Sequence, residues 1–293
     1  LSRGLGDVYK RQAHGIVLNG CPRHFWPPEV HMLADWLTSL RGIELPLGAM
    51  PSLLLIRALL RCGAHDADMV RTLRRTRPLC RSPATVDYKQ RLLGVLIHAR
   101  HMCMRRALHW DVCLGARDAS PELAIGLHAR RGRRKLLPLE MLTALEQHAR
   151  LLWRPRSDDG LAYPCVVIES CPLLAMRAGE ARLAWTAGRA LELLVQLFSR
   201  CGQPCDLPVF AILSFGPYWK IFYTFRALHR TNLVELPWVF DETYEFDLFY
   251  LQLVFTRMAS WLEQVYAPRI AELVLRLHFA EHPPGAELPP RAT

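Results

Sequence analysis

The chain has 293 residues, 51% of them hydrophobic, with eight tryptophans and a formal charge of +10. That length and apolar content exclude a disordered chain and allow one large domain or two small ones. A basic balance favours an anionic partner such as DNA or RNA, although 37 Lys and Arg interspersed with 27 acids also describe an ordinary arginine-rich surface.

Residues 1–12 end in Asp7-Val8-Tyr9-Lys10-Arg11-Gln12, which looks like the translation of a sequencing-library adapter, and they are set aside as an artefact. Setting them aside removes three basic residues and one acid, so the formal charge drops from +10 by 3 − 1 = 2 to +8. The nine cysteines form no paired C-x-x-C ladder, which argues against a zinc site or a disulfide scaffold and for buried thiols in an intracellular protein, cytoplasmic or nuclear. No apolar run reaches the roughly 18 residues that span a bilayer: Arg57 interrupts Leu53 to Leu60, and Pro217 ends the run from Leu207 to Phe215.

Residues 13–83 read as a helical N-terminal layer. Pro27-Pro28-Glu29 opens a helix with Val30, Leu33, Leu37 and Leu40 on one face, and Gly42 closes it. Arg71, Arg74, Arg75 and Arg77 read as a solvated face. Ser82-Pro83 breaks the chain, and Ala84 to His101 reads as one helix. The short run Ala107 to Leu114 predicts a strand that contains Asp111, a residue poorly suited to strands. Ser120-Pro121-Glu122 has the cap and first-turn proline of a helix start. The basic run Arg130 to Lys135 suits a solvated loop, a nuclear address or a phosphate contact, and Leu136 to Leu152 reads as helical.

Tyr163 to Ile168 is an apolar, β-branched run that predicts a buried strand, ending on a lone acid, Glu169. Burying that acid is costly unless something pairs with it. A helix follows Pro172, punctuated by Arg182, Trp185, Arg189, Glu192 and Gln196. Two further strands, Leu207 to Phe215 and Tyr218 to Phe225, are joined by Gly216-Pro217. Asn232 to Leu236 predicts a short edge strand ending at Pro237, and Glu242 to Arg276 a long helical region dented by Pro268. Residues 277–293 read as a loose, proline-rich tail.

Two strands that each present one acid, Asp111 and Glu169, in a mixed sheet flanked by helices can bring both carboxylates to one edge, where a divalent cation offsets their repulsion. This arrangement resembles the PD-(D/E)XK nuclease-like domain found in many fungal proteins, of the restriction-endonuclease-like superfamily. The likeness rests on Trp110-Asp111-Val112, on Glu169-Ser170-Cys171, on Glu180-Ala181-Arg182 with Trp185 close by, and on Leu207-Pro208 through Gly216, Tyr218 and Trp219.

The resemblance implies an α/β (α+β) fold with a small mixed sheet flanked by helices, the nuclease-like domain spanning residues 84–276. It also implies Mg2+ or Mn2+ held by Asp111 and Glu169, with Glu180 completing the shell, and metal-dependent phosphodiester hydrolysis of DNA or RNA. The family's motif lysine falls on Cys171, and a thiol supplies no cation. Arg182, then Arg177, are the substitutes within reach, and arginine binds phosphate without serving as a proton acceptor. Asp111, Glu169, Cys171 and Arg182 are therefore the expected catalytic positions of an impaired enzyme or pseudoenzyme. The alternative is a non-catalytic, helix-rich interaction protein in which each acid is paired with an arginine.

Overall fold

A computed structural model describes residues 16–42, 93, 96, 102–106, 122–128, 144 and 161–281. They form an α/β fold built on a seven-stranded mixed sheet. Its strands are β1 (Ile16–Leu18), β2 (Met102–Arg106), β3 (Leu123–His128), β4 (Leu161–Cys171), β5 (Val209–Phe215), β6 (Tyr218–Ala227) and β7 (Arg230–Asp241). The helices are α1 (Pro28–Thr38), α2 (Met176–Arg200), α3 (Glu245–Trp261) and α4 (Ala267–Glu281).

The sheet order is β1-β7-β6-β5-β4-β3-β2. Strands β2, β3 and β4 form an antiparallel meander. The chain then crosses through α2 to β5, which lies parallel to β4, as a helical crossover requires. β5, β6 and β7 form a second meander, and β1 adds parallel to β7 at the far edge. The N-terminal stretch read as purely helical therefore contributes a strand to the same sheet as the rest of the chain.

β4 lies inside the sheet, and Cys165, Val166, Val167 and Ile168 are at most 2% exposed. Its proline is tolerated because pairing with β5 begins only at Val166, leaving Pro164 outside that ladder. Tyr163 is one of two bulged residues against β3, the other being Cys165; its φ is 46°, and the buried Tyr266 hydroxyl donates to its carbonyl at 2.9 Å. Tyr266 comes from a π turn, Leu262–Tyr266, that links α3 to α4 just before Pro268. A proline there cannot donate to the preceding turn, and the wider turn accommodates it.

The two faces of the sheet are covered differently. Phe210 meets Trp261 edge-on at 5.4 Å and Trp219 meets Phe255 at 6.2 Å, so the α3 region covers one face. α2 covers the other, and at Gly179 it comes so close to β4 that a Cβ would lie 2.5 Å from Cys171 Sγ and 3.0 Å from Leu213 Cδ1. Gly179→Ala should therefore lose about 1–3 kcal/mol of stability to overpacking, against a gain of at most about 1 kcal/mol in helix propensity. Cys171→Ala should recover part of the loss in the double variant, as read by urea denaturation. A Gly179→Ala protein as stable as the wild type would contradict this packing.

Candidate functional site

The candidate site is built at the C-terminal end of β4. Register pairs Leu123 with Ile168, so the next pair outward sets Glu122, at the mouth of β3, opposite Glu169. Residues paired across strands point to the same side. Glu169 pairs with Leu213, and Leu213 with Lys220, so all three face α2.

Glu169 is only 4% exposed, and its Oε1 is buried with no hydrogen-bond partner. Burial pushes its carboxyl up to about 7; the Arg182 guanidinium opposes this, the Glu122 charge adds to it, and a hydrogen bond from the Glu122 backbone lowers it. Glu122 itself is exposed. The site is thus one buried and one solvent-facing carboxylate, side by side at a strand end.

Arg182 projects from the second turn of α2, and its Nη2 donates to the Ser170 carbonyl at 3.3 Å. That places an exposed cation one residue beyond Glu169. Cys171 is buried at the same strand end, packed in the space that Gly179 leaves open.

Glu180 turns elsewhere. Its carboxylate accepts from Lys220 Nζ at 3.2 Å, and Glu235 takes the same ammonium at 3.1 Å. Burial by itself would lower the Lys220 pKa; the hydrogen bonds and charges of Glu235 and Glu180 outweigh it and hold the ammonium above its ordinary value. Lys220 shares the face of Glu169 but lies two strands away, about 10 Å at strand spacing, and is engaged by two acids. The structure brings together Glu169, Cys171 and Arg182 and sets Glu180 apart from them. Asp111 lies outside the described residues.

The residue that sequence reasoning missed is Glu122. Ser120-Pro121-Glu122 was expected to begin a helix, yet Glu122 leads directly into β3. The signal was the apolar run Leu123-Ala124-Ile125-Gly126-Leu127, since a proline just ahead of a strand removes no ladder bond.

Both acids offer hard oxygen donors, and Glu169 has an oxygen without a partner, a donor set that suits Mg2+ or Mn2+ better than a thiolate-seeking metal. Among the described residues there is no group of three or more His, Cys, Asp or Glu able to hold a metal, so such an ion would rest on two side chains, with water and phosphate for the remainder. Of the described cysteines, Cys21, Cys201 and Cys205 are free thiols, and the buried Cys165 Sγ donates to the Ile125 carbonyl at 3.3 Å. No described helix is long and apolar enough to cross a membrane. No family model matches the chain, and neither a curated protein nor a solved structure matches it at a meaningful level.

The raised Glu169 pKa sets the direction of a pH effect. Below about 4.5 the carboxyl is protonated in both folded and unfolded chains and costs nothing. From there to about 7 the unfolded chain releases the proton first, so stability falls; above 7 the loss is complete, on the order of 3 kcal/mol. Glu169→Gln should remove this dependence and melt about 5 °C above the wild type at alkaline pH. Identical pH profiles for the two proteins would show that Glu169 is not held in this state.

Proposed function

We propose that this chain is a PD-(D/E)XK nuclease-like protein that binds nucleic acid at a divalent-cation site formed by Glu122 and Glu169, with phosphodiester hydrolysis impaired by the replacement of the motif lysine by Cys171. The observation that carries the reading is the buried Glu169 carboxylate facing Glu122 at the end of an antiparallel meander that crosses through a helix to a parallel strand.

In this reading Glu169 and Glu122 hold Mg2+ or Mn2+, which supplies Lewis-acid polarisation of the phosphodiester and lowers the pKa of bound water. Arg182 draws a phosphate toward the acid pair and offsets charge there, but its guanidinium takes no proton from water. Cys171, buried under α2, holds no positive charge beside the acids. The balance of groups therefore favours holding a phosphodiester over cutting it.

Two measurements test this. Mg2+ or Mn2+ at millimolar concentration should raise the melting temperature of the wild type at pH 7 but not that of Glu169→Gln, because only the wild type gains by giving up the Glu169 proton. In a plasmid-nicking assay the wild type should cut at trace level, Cys171→Lys should cut at least 100-fold faster, and Glu169→Ala in the Cys171→Lys background should abolish the gain. Metal-independent melting together with no nicking by any variant would leave a non-catalytic interaction protein. Nicking that survives Glu169→Ala would remove Glu169 from the site.

A further inference from the structure

Immediately beyond β4 the chain makes a braced turn that the acid pair does not use. Pro172 sets φ at −60°, and the Ala175 N–H donates to its carbonyl at 2.9 Å, closing the single turn Leu173–Ala175 that runs into α2. The base of the turn is tied to the neighbouring hairpin. The Gly216 N–H donates to the Cys171 carbonyl at 3.3 Å, and a Cβ on Gly216 would meet Leu173 Cβ at 3.7 Å.

What this turn presents to solvent is apolar. Leu173 is 51% exposed and Leu174 is fully exposed, beside an exposed Pro172. The fold gains nothing from an apolar side chain at Leu174, since none of it is covered. Two cations stand close by and are also exposed: Arg177, three residues on, and Arg182, whose Nη2 reaches the Ser170 carbonyl.

We propose that Leu174, backed by Leu173, is a wedge that enters a base step of duplex DNA at the Glu122 and Glu169 edge, while Arg177 and Arg182 take neighbouring phosphates. The proposal rests on the nuclease-like reading for the identity of the polymer, and it adds the form that the polymer takes, a duplex kinked beside the acid pair.

Area decides between this partner and a protein. A leucine side chain hides roughly 100 Å2 of apolar surface when fully buried. Two leucines, with a matching area on the partner, reach roughly 400 Å2, well short of the roughly 1,000 Å2 that a specific protein interface buries. A second copy of this chain would therefore need far more than the turn supplies. A base step needs only one apolar side chain to unstack it, and contacts to adjacent phosphates offset the lost stacking. The two exposed arginines are placed to make such contacts.

The test uses the full chain in EDTA, so that no metal contributes, with DNA duplexes of one length that are fully paired or carry a central two-nucleotide bulge. The bulge makes one step easy to kink. By fluorescence anisotropy the wild type should prefer the bulged duplex by about tenfold, and 2-aminopurine beside the bulge should brighten on binding as it loses its stacking. Leu174→Ser should bind both duplexes equally, without the brightening, and should melt within about 2 °C of the wild type. Leu174→Met, which stays apolar, should keep the preference. Arg177→Gln should weaken binding of both duplexes alike and flatten the logarithmic salt slope by about 0.9.

An unchanged preference in Leu174→Ser, no brightening with the wild type, or no binding of either duplex would overturn the wedge. A Leu174→Ser protein that melts far below the wild type would show a packed side chain and would overturn it too. So would sedimentation showing a wild-type dimer that Leu174→Ser breaks, which would assign the turn to a second copy. A Leu174-dependent preference in a protein without metal-dependent melting would refute the divalent-cation site and leave the wedge standing. Metal-dependent melting without that preference would do the reverse.

Discussion

A carboxylate buried at the end of an apolar strand is the constraint that organises this molecule. Cys165 to Ile168 are sealed within the sheet, and Glu169 follows them with almost no exposure. Its compensation is thin: the Arg182 charge from the solvent side and one backbone hydrogen bond from Glu122, while Oε1 has no partner. A Gln or Leu there would avoid the ionisation cost, so packing does not explain the acid. Groups driven toward neutral pKa without benefit to the fold collect where chemistry or binding takes place. The neighbouring Glu122 sharpens the case, because a second negative charge adds to the strain that a cation would relieve.

α2 sorts the surrounding charges. Glu180 and Arg182 are two residues apart in sequence, but a helix turns about 100° per residue and sends them about 200° apart. The acid goes to Lys220 between β6 and β7, and the cation goes to the end of β4. Lys220 binds Glu180 and Glu235 together and so ties α2 to two strands. This is also why that lysine, although on the same face as Glu169, does not serve the acid pair. Among the described residues, Arg182 is the positive charge that stands before the two negative ones.

What could be read from the sequence divides along physical lines. β5 and β6 were legible because long apolar, aromatic runs flank Gly216, which takes the positive φ, 61°, that their turn needs. β7 was read too short: Pro237 suggested an end, but it falls within a register shift against β6, where its missing N–H removes no needed bond. β3 was missed because Ser120-Pro121-Glu122 suits the start of a helix and the mouth of a strand equally, and pairing with β4 decides between them. For the same reason Glu122 could not be named as the partner of Glu169. The departure of Glu180 from the site depends on helix phase against a sheet, which no local pattern encodes.

Cys171 has a packing role of its own. Its thiol fills the gap at Gly179, where helix and strand approach so closely that a methyl group would collide with the sulfur. A lysine stem at that position would leave the strand end toward solvent, beside the acids, instead of filling that gap. A small buried thiol at this position therefore lets α2 dock closely against β4. The same docking fixes where Arg182 can reach, since Gly179 lies one turn before it. This edge therefore sets a guanidinium of permanent charge, which takes no proton, before a pair of acids in a rigid frame. The depth at which α2 docks and the reach of Arg182 are then two consequences of one helix–strand contact.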